Sequence, residues 1–288
     1  LLASAIAAIY PHFVFYSVSG LTEVFYTFLL MLAFFLYYKK YILFGIIVSI
    51  LGVLVKPSLD LLNPILVLIF TIFVHKMEWT KVIRYIAIYF LAYTVLMTPW
   101  WIHQHQKYDS FVRLSLGDGV VLYAGNNPLN ESGGGINGVD VDESIFNEIN
   151  NPVERNIAQK NEAINYIVQN PKHFIKMSFV KFKRFWRLWP YAEEYTQWYL
   201  IVFSLLSYGF VLFLSLGFIF KNSKKYVREV LPILALFGYL TLVHMITIGS
   251  IRYRFPLEPF LVMFAGYYFV DIFRENKWFN ALATKYLK

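Results

Sequence analysis

The sequence contains no cysteine, and charged residues are scarce along its 288 positions. The absence of cysteine excludes disulfides, thiolate zinc sites and thiol nucleophiles. Charged residues make up 15% of the chain, against about 25% in an ordinary soluble domain. Hydrophobic residues make up 58%, against about 45–50% in such a domain. This composition excludes a disordered chain, a collagen and a coiled coil, and it argues against a soluble enzyme.

The apolar residues are concentrated in stretches of nearly membrane-spanning length. A hydrocarbon core about 30 Å thick is crossed by roughly 20 apolar residues in a helix. The pattern therefore predicts an all-α, polytopic integral membrane protein with about eight transmembrane helices, at residues 1–17, 21–38, 41–55, 61–74, 85–101, 198–220, 230–248 and 256–272. The third and fourth stretches are short, so residues 41–74 form either two spans or a re-entrant hairpin.

Basic residues are divided unevenly between the two sides of this predicted bundle. The loops on one side carry thirteen of the 26 Lys and Arg residues, whereas the short loops on the other side carry only Lys56, Arg252 and Arg254. Because basic loops stay on the cytoplasmic side, the first side is cytoplasmic and the second faces outward. The chain then divides into an N-terminal bundle (1–101), an extracytoplasmic region (102–196) and a C-terminal bundle (197–288).

The extracytoplasmic region has a loop-like half and a helical half. Residues 102–152 are rich in Gly, Asn, Asp and Ser, which predicts loop with a short hairpin at 117–123. A helix is predicted to begin at Pro152 and to end at Asn170-Pro171. Basic and aromatic residues alternate over 173–189, which favours a helix at the membrane interface. Nucleic-acid binding is the other function of such a pattern, but it does not suit the outer face.

Six short motifs follow one another along nearly the whole chain. They are Pro-His-Phe-Val-Phe-Tyr-Ser at 11–17 with Leu-Thr-Glu at 21–23, Pro-Trp-Trp-Ile-His-Gln at 99–104, Phe-Val-Arg-Leu-Ser at 111–115, Gly-Val-Val-Leu-Tyr-Ala-Gly-Asn-Asn-Pro at 119–128, Asn-Pro at 170–171 with Lys-Arg-Phe-Trp at 183–186, and Arg-Tyr-Arg-Phe-Pro-Leu-Glu-Pro at 252–259. In order and spacing they resemble the GT-C superfamily glycosyltransferases of the PMT type, or family 39. These include protein O-mannosyltransferases and aminoarabinose transferases that act on lipid A.

The resemblance implies a membrane hexosyl- or pentosyltransferase of the cell envelope. Such an enzyme moves a sugar from a polyprenyl-phosphate donor to a hydroxyl of a protein, lipid or glycan acceptor on the extracytoplasmic face of the plasma or inner membrane. Membrane lipids surround such an enzyme. The resemblance implies no nucleic-acid partner, no metal and no certain cofactor. The family's catalytic Asp lies in an outer loop that precedes the first span of this sequence, so residues 1–288 alone are expected to be inactive.

The implied chemistry needs a base for the acceptor hydroxyl and cations for the leaving phosphate. Glu23, at the outer start of a span, matches the second acidic position of the family and is expected to be catalytic. An acid at a span boundary is costly unless it has a function or a partner. The alternative is a helix-capping role, because a carboxylate in the first turn is favoured by the helix dipole.

The outward turns supply the predicted ligands of the donor phosphate. They are Lys56, Arg252, Tyr253 and Arg254; the arginine fork fits phosphate oxygens. The alternatives are a snorkelling Lys56 and arginines paired with Glu258 or with acids of the outer loop. His103, which stands with Gln104 where the family has Arg-Asn, and His244 are further candidates for substrate binding, and His244 is otherwise a buried structural residue. The scattered outward histidines lack ligand spacing, so no metal site is predicted.

Other functions remain open at this point. A polymerase or ligase of lipid-linked glycans shares the polytopic fold, the outer loop and the arginines. A transporter or lipid flippase would carry charges near the middle of its spans and an internal repeat, and the sequence shows no repeat and no charge within 85–101 or 198–220. A non-enzymatic scaffold leaves Glu23, Arg252 and Arg254 without a role.

Overall fold

The computed structural model describes residues 2–135, 140–191 and 196–273. All regular elements in these ranges are helices, as the sequence predicted. Four helical segments in these ranges are long and apolar enough to cross a membrane, and they are Trp79–Tyr108, Trp198–Asn222, Val227–Ile246 and Ile251–Phe273. Helices Pro11–Val18 and Thr22–Tyr38 add a fifth crossing if they form one broken span. A helical membrane protein is thus supported, whereas eight spans stay a prediction.

The N-terminal apolar region forms three helices instead of two: α1 (Leu2–Ile9), α2 (Pro11–Val18) and α3 (Thr22–Tyr38). Tyr10 is extended because the following proline disfavours a helical conformation at its neighbour, and Pro11 then starts α2. Gly20, with a φ of +61°, separates α2 from α3. The predicted span at 1–17 is therefore interrupted.

The helices belong to two compact units that both draw on distant parts of the chain. The first combines the residues up to 24, those from 188 to 234 and those from 255 onward. It contains α10 (Trp198–Ser204), which a π-helical turn joins to α11 (Phe210–Asn222), and α14 (Glu258–Phe273). Ser215 Oγ of α11 donates to Leu261 O of α14 at 2.7 Å. Gly217 lies against the Tyr268 ring, so α11 and α14 approach closely.

The second unit comprises residues 25–187 and 235–254. It contains α4 (Ile42–Val55), α5 (Leu62–Leu68), which a π-helical turn extends to Val74, and α6 (Trp79–Tyr108). Both short apolar stretches of the sequence are thus helices, and two spans or a hairpin remain open for them. Helix α6 is longer than the predicted span at 85–101, because it continues to Asp109, whose φ of +48° ends it.

The second unit also contains α7 (Asp118–Gly125), α8 (Pro152–Gln169) and α9 (Pro171–Phe185). The predicted hairpin at 117–123 is wrong, because this segment is helical and packs on α8. Gly119 N donates to Asn156 Oδ1 at 2.8 Å, an approach for which the missing side chain of glycine leaves room. The start of α8 at Pro152 is confirmed, with Asn151 Oδ1 capping the first turn.

The C-terminal end of the second unit is formed by the last part of α12 (Val227–Ile246) and by the short helix α13 (Ile251–Arg254). Between them, Gly249 N donates to Gly133 O at 2.9 Å. This contact ties the turn after α12 to the loop at Gly133. Helix α13, which follows this turn, lies beside α9.

Candidate functional site

Three of the predicted substrate-binding residues lie together in the second unit. Lys56 Nζ is 4.8 Å from the ring centroid of Tyr253. The ring of Tyr253 stacks on that of His244, with centroids 4.5 Å apart and planes 3° apart. The turns at Lys56 and Tyr253, nearly two hundred residues apart in the sequence, therefore converge. We name Lys56, Arg252, Tyr253 and His244 the outer cation cluster.

Lys56 is placed by the end of α4. It is the C-cap residue of that helix, and Pro57 follows it and prevents continuation. A cation at a helix C-terminus is favoured by the helix dipole. Its Nζ also lies 6.0 Å from the ring centroid of Tyr26, so two aromatic faces attract the ammonium group.

The ring of His244 packs against that of Tyr253. Its side chain is buried, and its Nδ1 donates to Ile248 O at 3.2 Å. Its ring stacks between Tyr253 and Phe185, with the Phe185 centroid 5.4 Å away. The geometry favours the structural alternative for His244, namely a buried, hydrogen-bonded residue that orients Tyr253; its contact with substrate stays a prediction.

The two arginines of α13 have different surroundings. Arg252 is exposed, whereas Arg254 is fully buried. Arg254 Nη1 donates to the carbonyl oxygens of Phe185 and Arg187, at 3.0 and 2.8 Å. These carbonyls lie at the C-terminus of α9, where helix acceptors need donors. Arg254 therefore stabilises the C-terminal end of α9. Because its guanidinium already donates to these carbonyls, the structure does not support its predicted role in phosphate binding.

The remaining predicted residues lie elsewhere. Glu23 is 1% exposed, in the first turn of α3, and belongs to the first unit. His103 is exposed on α6, with its ring 6.5 Å from that of Trp100, while the neighbouring Gln104 is buried. The burial of Glu23 fits the expectation that a carboxylate at this boundary has a function or a partner.

An ion pair that sequence analysis missed joins Asp60, in the turn after α4, to Arg113, in the loop after α6. Asp60 is buried and accepts a hydrogen bond from the Tyr93 hydroxyl at 2.7 Å, and Arg113 Nη2 donates to its other oxygen. Burial lowers the pKa of Arg113, but the charge of Asp60 and the interactions with Tyr93 and Asp60 together outweigh it, so the pKa is raised. The partners lie 33 and 53 residues from Asp60, so no local pattern reveals them.

Lys181 also differs from the expectation for a basic interfacial helix. It is fully buried, and its Nζ donates to Asn126 Oδ1 at 3.0 Å and to Ile246 O at 3.1 Å. Burial lowers the pKa of Lys181 to about 7. We name Lys181 and Arg254, with the carbonyls that they bind, the anchor cluster.

The opposite face of α9 keeps the pattern that the sequence predicts for a membrane interface. Its exposed residues recur at helical spacing and are Lys172, Ile175, Lys176, Phe179, Phe182 and Lys183. Apolar side chains flanked by lysines suit the boundary between acyl chains and headgroups. The periodicity of α9 thus indicated this face, but it did not separate Lys181 from the exposed lysines.

A second pair missed from the sequence joins His12 of α2 to Glu258 of α14 in the first unit. His12 Nδ1 lies 3.0 and 2.9 Å from the two Glu258 carboxylate oxygens. In the sequence, His12 lies within the predicted span at 1–17 and Glu258 within that at 256–272, but nothing in it indicated that α2 and α14 are neighbours.

The candidate site in the second unit is cationic. Within residues 2–135, 140–191 and 196–273, no cluster of His, Asp and Glu is suited to hold a metal ion. The outer cation cluster instead offers an ammonium group and an exposed guanidinium beside an oriented tyrosine. Such an arrangement suits an anionic ligand with several oxygen atoms, such as a phosphate.

No family model, no curated protein and no solved structure matches this chain.

Proposed function

We propose that this protein is a membrane glycosyltransferase that moves a sugar from a polyprenyl-phosphate donor to an acceptor hydroxyl on the extracytoplasmic face. The observation that carries the proposal is the 4.8 Å contact between Lys56 Nζ and the ring of Tyr253, the residue that follows Arg252. It brings two outward turns with cationic side chains together, which is what recognition of a lipid phosphate at the membrane boundary requires.

The residues have separate roles in the proposed reaction. Lys56 and Arg252 bind the phosphate, whose negative charge grows as its bond to the sugar breaks, so they contribute more in the transition state than in the ground state. Tyr253 keeps Lys56 in place through its ring face. Glu23 orients the acceptor or assists removal of its proton.

The proposal also includes an orientation in the plasma or inner membrane. The region at 102–196 faces outward and the turn at 221–228 faces the cytoplasm, because the loops on the side of that turn carry thirteen basic residues and the short loops on the other side carry three. Since the chain has no cysteine, single cysteines report sidedness directly. Asn147→Cys should react with an impermeant thiol reagent in intact cells, and Ser223→Cys should react only after permeabilisation. The reverse pattern would contradict this orientation.

Two substitutions in the full-length protein test the roles proposed for Glu23 and for Arg252. Glu23→Gln keeps the shape but removes the charge, and it should lower kcat by about 10²–10⁴-fold, the usual contribution of acid–base catalysis, with little change in donor binding. Arg252→Lys keeps the charge but loses the fork, so it should weaken donor binding and slow departure of the phosphate. Both are measured with undecaprenyl-phosphate mannose and undecaprenyl-phosphate aminoarabinose.

The controls are Glu162→Gln and Arg228→Lys, which make the same changes at exposed positions. Activity is expressed per folded, membrane-extracted molecule, so that loss of protein is not mistaken for loss of chemistry. Near-normal specific activity in both test variants would contradict the proposed site. Transfer from a lipid-linked glycan, and from neither monosaccharide donor, would favour a polymerase or ligase instead.

A further inference from the structure

The turn after α4 carries a cation of the outer cation cluster at one end and a buried acid at the other. Lys56 ends α4, and a 3₁₀-helical turn at Pro57–Leu59 follows it. Asp60 closes this turn, because its backbone N donates to Pro57 O at 3.0 Å. A single tight turn of the second unit therefore joins the acid to the cation.

Contacts with α6 and with the loop after it hold the acid end of this turn. The Asp60 side chain is 4% exposed. The Tyr93 hydroxyl donates to one of its carboxylate oxygens at 2.7 Å, and Arg113 Nη2 donates to the other. Arg113 is itself held, because its backbone O accepts a hydrogen bond from Trp101 Nε1 at 2.9 Å. The carboxylate of Asp60 therefore has a fixed orientation, and so has the residue that closes the turn.

The middle of the turn is held against Tyr26. The hydroxyls of Tyr26 and Ser58 are 3.0 Å apart and form a hydrogen bond, and Leu59 is buried. Pro57 restricts the backbone further, because its ring fixes φ. The ring of Tyr26 also lies 6.0 Å from Lys56 Nζ. As long as its acid end stays bound, the turn thus gives Lys56 a defined direction.

The contacts of Asp60 contribute more to geometry than to stability. Taking a charge out of water costs about as much as the attraction of its partner returns, so such a pair adds little net stability. Hydrogen bonds weaken steeply when their angles change, and they therefore fix the orientation of the groups that they join. A buried acid with two such bonds suits a place where the position of a neighbouring group matters. The neighbouring functional group in this turn is Lys56.

We propose that Asp60 is the positioning residue of Lys56, and that it fixes the turn that directs the ammonium group to the phosphate of the donor. Tyr93 and Arg113 hold Asp60 for this role. The inference rests on the proposed function, because it is the leaving phosphate that needs a cation in a fixed place. An ammonium group that is held in advance does not have to be ordered while charge grows on the phosphate, so Asp60 contributes to the rate through Lys56.

A double-mutant cycle on kcat/KM tests whether Asp60 acts through Lys56. It uses the full-length protein with undecaprenyl-phosphate mannose and undecaprenyl-phosphate aminoarabinose. Asp60→Asn keeps the shape and an oxygen that accepts from Tyr93, but it loses the charge that attracts Arg113. In the wild-type background it should lower kcat/KM by up to about 10²-fold, the usual cost of a misplaced group. In the Lys56→Met background it should change kcat/KM by less than about twofold, because no ammonium group is left to position.

The matched control is Asp118→Asn, which makes the same change in another ion pair of the second unit. Asp118 pairs with Lys160 at 2.6 Å, and both side chains are about half exposed. This variant should leave kcat/KM within about twofold of its parent in both backgrounds. Activity is again expressed per folded molecule. Wild-type kcat/KM in folded Asp60→Asn, or equal fold losses in the two backgrounds, would overturn the inference and leave the transferase intact.

Two further measurements keep the test decisive. If Asp60→Asn does not fold, Arg113→Lys takes its place in the cycle, because it keeps the charge of the pair but loses the fork that holds Asp60. Its smaller loss of kcat/KM should likewise vanish in the Lys56→Met background, and a loss that persists there would overturn the inference. Binding of undecaprenyl phosphate to the same variants should show the same dependence on Lys56 without turnover. A wild type that binds this lipid but transfers from neither donor would overturn the proposed function alone.

Discussion

The anchor cluster and the outer cation cluster use the same side-chain types in opposite ways. In the anchor cluster, Lys181 and Arg254 are fully buried and donate to backbone carbonyls and to Asn126. In the outer cation cluster, Lys56 faces the rings of Tyr26 and Tyr253, and Arg252 is exposed. A buried side chain whose donors satisfy carbonyl oxygens contributes to the fold, whereas a cation nearer the surface beside an aromatic face is placed to meet a ligand.

The clearest contrast lies within α13, where Arg252 and Arg254 are two residues apart. Both arginines belong to one four-residue helix, yet Arg254 is buried against the C-terminal end of α9 whereas Arg252 is exposed. The spacing of two arginines around a tyrosine therefore does not by itself predict two phosphate ligands. Burial and hydrogen-bonding partners separate a structural arginine from a functional one.

The largest expected effect is the loss of stability on removing the buried arginine. Arg254→Ala leaves the carbonyls of Phe185 and Arg187 without this donor and should lower the free energy of unfolding by about 3–5 kcal/mol. Arg252→Ala is the matched control and should change it by less than about 0.5 kcal/mol. Thermal unfolding in detergent measures both. Equal losses in the two variants would remove the distinction between the clusters.

A smaller effect is expected from crowding the anchor cluster. A Cβ atom at Gly249 would lie 2.5 Å from Lys181 O and 2.9 Å from Lys181 Cα, so the backbone has to move. Gly249→Ala should therefore cost about 1–3 kcal/mol. Gly238→Ala, in α12 with no atom within 4 Å of its added Cβ, should be neutral or stabilising by up to about 1 kcal/mol. Unchanged melting temperatures in Gly249→Ala would contradict the close packing of this turn on α9.

The smallest expected effect, taken over a single pH unit, is the pH dependence that Lys181 gives to the free energy of unfolding. Burial lowers its pKa from 10.5 to about 7, so the unfolded state binds the proton and the folded state does not between these two pH values. Because the unfolded state binds more protons, the free energy of unfolding rises with pH in this window, with a slope of at most about 1.4 kcal/mol per pH unit. Below pH 7 both states are protonated, and this contribution is constant.

Lys181→Met keeps the length of the side chain and removes the titrating group, so it should flatten the rise in melting temperature between pH 7 and 10. Lys183→Met, at an exposed position on the same helix, should leave the rise unchanged. The measurement is the melting temperature of the three proteins in detergent across this range. Parallel curves for Lys181→Met and wild type would show that the ammonium group is not desolvated.

Several elements follow from local sequence alone. Long apolar stretches predicted the helices Trp198–Asn222 and Val227–Ile246 within a few residues, because helix length in a membrane is set by hydrocarbon thickness. Pro152 and Asn170-Pro171 marked the ends of α8, because proline begins a helix easily and disfavours a helical residue before it. The predicted hairpin at 117–123 failed because packing of α7 on α8 outweighs local turn propensity.

The candidate site was only partly accessible from the sequence. Lys56, Arg252 and Tyr253 were singled out because cations are scarce in short outward turns, and the structure brings Lys56 to Tyr253. The pairs His12–Glu258 and Asp60–Arg113 were missed, because each joins helices or loops far apart in the chain. A single sequence without internal repeats does not show which apolar helices pack against one another.

Sequence by itself determined that this protein is built of helices, that it belongs in a membrane, and which turns carry its cations. Those properties depend on composition and on the distribution of charge along the chain, which act residue by residue. Only the tertiary structure decided that Arg254 and Lys181 are buried while Arg252 is not, and that Glu258 faces His12. These roles depend on which helix faces meet, and close packing of side chains between distant segments sets that arrangement.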